Sequence, residues 1–120
     1  MNYRSGLEER IGKLLDKENC PYLYEVEKFA YVTKSNYTPD FFLPNGVIIE
    51  AKGFFKPTDR RKMLAVKEAH PHLDIRFVFM RDNTLTKTSK TTYTMWATKH
   101  GFPSCIFPHI PEDWLNEQGT

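Results

Sequence analysis

At 120 residues, with 40% hydrophobic and 14% aromatic content, the chain can bury one core but not two. A net charge of +2 excludes a uniformly basic surface, so any contact with a polyanion has to come from local clusters. Cys20 and Cys105 are the only cysteines and have no metal-type spacing; with neither a signal peptide nor a membrane span to read, a reducing cytosolic setting is expected.

The stretch RSGLEERIGKLL opens a helix in which Ser5 caps the first turn and Leu7, Ile11, Leu14 and Leu15 form the buried stripe. Glu8 follows Ser5 by three residues, so it is either the reciprocal partner of a capping box or an acid available for chemistry. Glu9, the competing acid, sits further from the stripe. Tyr22 to Val32 reads as a strand, followed by a polar bridge within YVTKSNY, Tyr31 to Tyr37. Hairpin strands come next, Asp40 to Leu43 and Val47 to Lys52. Thr58 is expected to cap a second helix ending before Pro71, and Ile75 to Met80 is apolar and β-rich enough for a central strand beside Val47 to Lys52. A third helix runs from about Tyr93 to His100 and stops at Gly101; Ser104 to Phe107 forms an edge strand and Glu112 to Leu115 a final turn. The order αβββαβαβ fits one α/β domain over 1–120 with a mixed sheet flanked by helices. His70 and His72 flank Pro71 with no second ligand pair, so no zinc site is expected there.

The chemistry concentrates in TPDFFLPNGVIIEAKG, Thr38 to Gly53. Asn45-Gly46 suits a two-residue hairpin loop, and Pro44-Asn45-Gly46 the three-residue form. The three-residue loop sets Leu43 against Val47 and Asp40 opposite Glu50, whereas the two-residue loop leaves Asp40 beside Ala51. Alternation places Ile48, Glu50 and Lys52 on one strand face and Val47, Ile49 and Ala51 on the other. Two adjacent carboxylates repel unless a cation lies between them, and Mg2+ takes hard oxygen ligands together with phosphate oxygens and water. Lys52 would then orient or deprotonate the attacking water, or balance charge building on the phosphate. The competing interpretation is ordinary turn chemistry at Pro39-Asp40 and a solvated Glu50–Lys52 pair. Basic residues group nearby: Lys56, then Arg60, Arg61 and Lys62, then Lys87 and Lys90 in a threonine-rich loop, a mixture suited to phosphate rather than base contact.

Taken together, RSGLEER, YTPDFFLPNGVIIEAKG, DRRK followed by EAHPHLDIRFVF, and KHG resemble the bacteriophage endonuclease I family, Holliday-junction resolvases with a PD-(D/E)xK nuclease core; the likeness spans roughly Arg4 to Trp114. The resemblance implies a catalytic set of Glu8, Asp40, Glu50 and Lys52, with two divalent ions, Mg2+ or Mn2+, held by the acids and the Ala51 carbonyl. It also implies contact with branched DNA, to which Arg4 and the basic residues above would contribute, and a 5′-phosphate product. The implied assembly is an intertwined, domain-swapped homodimer in which the helix-one Glu of one chain completes a site built mainly by the other, with approximately residues 33–37 as the bridge. That bridge is about three residues shorter than the family pattern, and the basic amino-terminal arm and lysine-rich tail of the family's best-known member are not seen. A phage source acting in the host cytoplasm is implied. A homing or nicking endonuclease acting on linear duplex, and a non-catalytic junction binder, are the alternatives.

Overall fold

The computed structural model describes residues 3–25, 29–30 and 36–116. Its elements follow the order α1 (Gly6–Lys17), β1 (Leu23–Tyr24), β2 (Phe29–Ala30), β3 (Asn36–Tyr37), β4 (Phe41–Phe42), β5 (Val47–Lys52), α2 (Pro57–Ala69), β6 (Asp74–Phe79), α3 (Tyr93–Lys99), β7 (Ser104–Ile106) and α4 (Glu112–Asn116).

Local chemistry sets the helix ends. Ser5 accepts the Glu8 N–H at 3.1 Å to start α1. The helix closes where Asn19 adopts a φ of 53°, with Cys20 N–H bonded to the Leu15 carbonyl and Asn19 N–H to that of Asp16. That is the paired closure of a left-handed C-terminal cap, which Asn tolerates better than most residues. Helix α2 starts two residues earlier than expected. Lys56, not Thr58, is the N-cap, because Pro57 suits the first helical position and Asp59 accepts the Lys56 N–H at 3.1 Å. Thr92 caps α3 by accepting the Met95 N–H, and Gly101, at φ 80°, ends it.

One mixed sheet, in the order β1-β4-β5-β6-β7, organises the molecule. Strands β1, β4 and β5 pair antiparallel, while β5, β6 and β7 pair parallel. The parallel strands advance across the sheet in one direction, so the crossovers through α2 and α3 fall on the same face. That face buries Ile48, Phe55, Met63, Val66, Phe77, Phe79 and Trp96. The opposite face receives α1 and α4 over Leu7, Ile11, Leu15, Phe41, Val47, Ile49, Val78 and Trp114. Alternation along β5 thus feeds both cores, with Ile48 on one side and Val47 and Ile49 on the other, as expected.

Two further expectations are corrected. The single strand over Tyr22 to Val32 is broken: β1 lies at the edge of the main sheet, whereas β2 pairs antiparallel with β3 in a separate two-stranded ribbon. The break begins at Glu25, whose φ of 53° takes the chain out of extended geometry. Of the expected bridge, residues 31–35 lie outside the described residues, and Asn36 and Tyr37 are paired in β3 rather than free. No helix among the described residues is long and apolar enough to cross a membrane.

Phe55 is the hub of the α2–α3 core, fully buried with ring centroids 5.0 Å from Trp96, 5.2 Å from Phe77 and 5.3 Å from Phe79. Phe55→Ala should lower unfolding free energy by about 3–5 kcal/mol, read from the urea midpoint at unchanged slope. A loss under about 1 kcal/mol would show that the ring is not a packing centre.

Candidate active site

The hairpin sets the geometry. Leu43 N–H bonds the Val47 carbonyl at 2.9 Å, Gly46 N–H returns to Leu43 at 3.0 Å, and Gly46 takes a φ of 88° that favours glycine. Asn45 fixes the loop and anchors it, its Oδ1 accepting the Val47 N–H and its amide donating to the Trp114 carbonyl in α4. Phe41 then opposes Ile49 and Phe42 opposes Ile48, which is the register of the three-residue loop. Carried one residue further, it brings Asp40 to Glu50.

There the ladder is replaced by side chains. The Asp40 N–H donates to Glu50 Oε2 at 2.8 Å, and the Ala51 N–H donates to Asp40 Oδ2 at 2.8 Å. Each acid is therefore held by the other strand's backbone. Ala51 turns its amide toward β4, so its carbonyl leaves the same edge of β5. Lys52, 20% exposed, follows on the Glu50 face with its ammonium 3.8 Å from Asp59 at the start of α2.

Helix α1 supplies another acid. Glu8 is only 8% exposed; its backbone N–H donates to the Ser5 hydroxyl, but its carboxylate, rather than closing a capping box, turns inward to accept from the Tyr24 hydroxyl. Carboxylate oxygens of Glu8, Glu25 and Asp40 lie within 4.8 Å of one another. Glu9 points outward and pairs with Lys13. Glu8, Asp40, Glu50 and Lys52 thus converge, and Glu25, Tyr24, Tyr37 and Asp59, which the sequence pattern does not single out, lie beside them. Alternation along β1 could have flagged Tyr24. Nothing periodic could have found Glu25, which reaches the cluster through its positive φ. Tyr37, fully buried, directs its hydroxyl toward Glu50 from a segment expected to be a polar bridge.

Electrostatically the site is costly as a set of free anions. Burial first, then the Glu50 charge, pushes Asp40 up to about 9; the Ala51 N–H opposes this and the Glu8 charge adds to it. Burial likewise raises Glu50, which is 3% exposed, against the opposing pull of Lys52, the Asp40 N–H, Tyr37 and Lys62. A divalent cation would relieve both effects. The donor set fits such an ion: carboxylate and carbonyl oxygens only, with neither sulfur nor imidazole.

The basic residues divide by exposure. Lys56, Arg61, Lys87 and Lys90 are exposed. Arg60 is partly spent on the fold, donating to the Phe55 carbonyl at 2.8 Å with its guanidinium 6.0 Å from that ring's centre. Lys62 sits 5.9 Å over the Tyr37 ring, and Arg4 is 3.5 Å from Glu25.

Buried acids beside one lysine, at the end of a strand where antiparallel and parallel pairing meet, define a class of sites suited to hydrolytic chemistry. Comparison with known proteins narrows the class. The phage endonuclease I family matches residues 1–120. Endonuclease I of Escherichia phage T7 is 42% identical over 119 residues, covering 96% of this chain and 79% of that protein. Endodeoxyribonuclease 1 of Enterobacteria phage T3 is 45% identical over 103 residues, covering 82% of this chain and 68% of the relative. The chain belongs to the phage endonuclease I family.

The raised Asp40 predicts a pH effect in EDTA. Below its ordinary value of 3.8 both folded and unfolded chains hold the proton; from there to about 9 only the folded chain does, so stability should fall as pH rises across that window. Asp40→Asn should flatten the fall in urea midpoint between pH 5 and 9, roughly by one proton's slope. An unaltered slope would mean that Asp40 is not the strained acid.

Proposed function

We propose that this protein, as a member of the phage endonuclease I family, is a structure-selective endodeoxyribonuclease that hydrolyses phosphodiesters at four-way and other branched DNA with the aid of divalent ions. The observation that carries the reading is the reciprocal seating of Asp40 and Glu50, with Glu8 closing on Asp40 and Lys52 beside them. The mixed sheet with helices on both faces supports a PD-(D/E)xK core over the single domain.

Asp40, Glu50 and the Ala51 carbonyl would hold one Mg2+ or Mn2+, with Glu8 contributing to a second. Such ions, when bound, supply Lewis-acid charge at the phosphate and lower the pKa of water. In the hydrolysis a water oxygen forms the new bond to phosphorus and gives up a proton, while the bond to the leaving deoxyribose oxygen breaks and that oxygen takes up a proton from solvent. Asp40 and Glu50, fixed by backbone N–H groups, cost little reorganisation during this step. Lys52, steadied by Asp59, balances charge on the phosphate. Lys56, Arg61, Lys87 and Lys90 are the exposed cations best placed for DNA phosphates, with Arg4, Arg60 and Lys62 in part committed to neighbours.

A homodimer supplies the two symmetric cuts that a junction needs. The Glu8–Asp40 approach is made here within one chain, and exchange of α1 and β1 between two chains would reproduce it across the pair. The setting in this reading is the cytoplasm of a phage-infected host.

Cleavage of a labelled four-way junction beside its linear arms should be symmetric, dependent on Mg2+ and abolished by EDTA. Glu50→Ala and Lys52→Ala should each lower the rate about a hundredfold or more while leaving binding nearly intact. Cutting of linear duplex at one sequence would favour a homing or nicking enzyme, binding without cleavage a junction-binding protein, and near-normal rates in Lys52→Ala would remove the lysine from the mechanism.

A further inference from the structure

Beyond Lys52 the chain leaves the sheet through Gly53 and Phe54 before Phe55 plunges into the core. Phe54 is 69% exposed, so most of its ring lies outside the core. It forms one side of a cleft of about 500 Å³ whose other side carries Asn83, Thr84, Thr86 and Lys87, with Tyr93 also in the lining. One wall offers an aromatic ring; the other offers the Asn83 amide, the Thr86 hydroxyl and the Lys87 ammonium, the Thr84 hydroxyl being spent on the Thr86 carbonyl. Those are the two halves of a nucleotide's needs, a surface on which a base stacks and donors for its phosphate.

Both walls are held in place without a ligand. The Phe55 N–H reaches the Tyr93 hydroxyl at 3.3 Å, and the Tyr93 N–H returns to the Asn83 carbonyl at 2.9 Å, tying the two walls together. Within the loop, Leu85 N–H bonds the Thr91 carbonyl, Thr84 Oγ1 bonds the Thr86 carbonyl, and Asp82 takes both the N–H and the hydroxyl of Thr94. A bridge between Thr84 and Thr92 closes the loop's base. A preformed cleft of this size lies within the usual range for small-ligand sites.

We propose that this cleft seats one unstacked nucleotide of the DNA, with its base on the Phe54 ring and its phosphate toward Lys87, adjacent to the bond being cut. The inference rests on the nuclease reading of the neighbouring acids, since Gly53 directly follows Lys52. It supplies a physical source for structure selectivity. An unbroken duplex must lose stacking to fill the cleft, whereas a branch point offers a base already partly unstacked. Selection of this kind needs no base-edge hydrogen bonds, because every base has a π-face.

The test is made in EDTA on whichever DNA the wild type cleaves when Mg2+ is present. Affinity is measured by fluorescence anisotropy for wild type, Phe54→Ala, Phe54→Trp and Phe54→Leu, on intact DNA and on DNA with abasic sites placed one at a time beside the cut. Phe54→Ala should weaken binding by about five- to a hundredfold, and Trp should restore it while Leu does not. One abasic position should weaken wild type to a similar degree and add nothing to Phe54→Ala. The variants' urea midpoints, expected to match wild type, separate this from misfolding. Wild-type affinity in Phe54→Ala, full restoration by Leu, or abasic losses independent of residue 54 would overturn the proposal while leaving the nuclease reading intact. Failure of wild type to cleave any DNA would overturn both.

Discussion

The structure turns on a pair of crossed hydrogen bonds in which Asp40 and Glu50 each take a backbone N–H from the opposite strand. Ordinary ladder rungs would have joined β4 and β5 just as well. Substituting carboxylates for carbonyls leaves two acids side by side in a poorly solvated place, where neither ionises easily alone. The protein retains this unfavourable arrangement because both acids are locked in position before any ligand arrives. Such fixed geometry is what an electrostatic catalyst requires, since the reorganisation is completed on folding rather than during reaction.

The rest of the fold can be understood as support for that crossing. Strand β5 is antiparallel to β4 and parallel to β6, so its carboxyl end lies where the pairing changes direction. Open α/β sheets place ligands at the carboxyl ends of their parallel strands. Two aromatic-rich cores clamp β5 from opposite faces, leaving its last two residues only partly covered. Helix α1 then delivers Glu8 from one side, and the start of α2 sets Asp59 beside Lys52 on the other.

How much of this was legible in the sequence depends on how local each cause is. The hairpin register follows from Pro44-Asn45-Gly46, because turn chemistry is decided within a few residues, and alternation along Val47–Lys52 then assigns the faces. Glu8 was only half legible. Its spacing from Ser5 predicts a capping role, and its backbone does serve the cap, but the inward turn of its carboxylate depends on Tyr24, sixteen residues away. Glu25 was invisible, since a positive φ on a glutamate reverses the direction that strand alternation would assign. Tyr37 was hidden by polar neighbours in YVTKSNY, although its side chain is fully buried. The α2 cap was misplaced because Thr58 carries the familiar side chain, whereas Pro57 and Asp59 set the start.

If the crossed acids hold a cation, as proposed, calorimetric titration of the DNA-free protein with Mn2+ at neutral pH will show it, comparing wild type with Glu50→Gln, which keeps the side chain's shape and removes its charge. Saturable binding in wild type, weakened at least about tenfold in the variant, is the predicted result. Equal binding by both proteins would contradict the account, because the ion would then be held elsewhere and the buried acids would need another explanation.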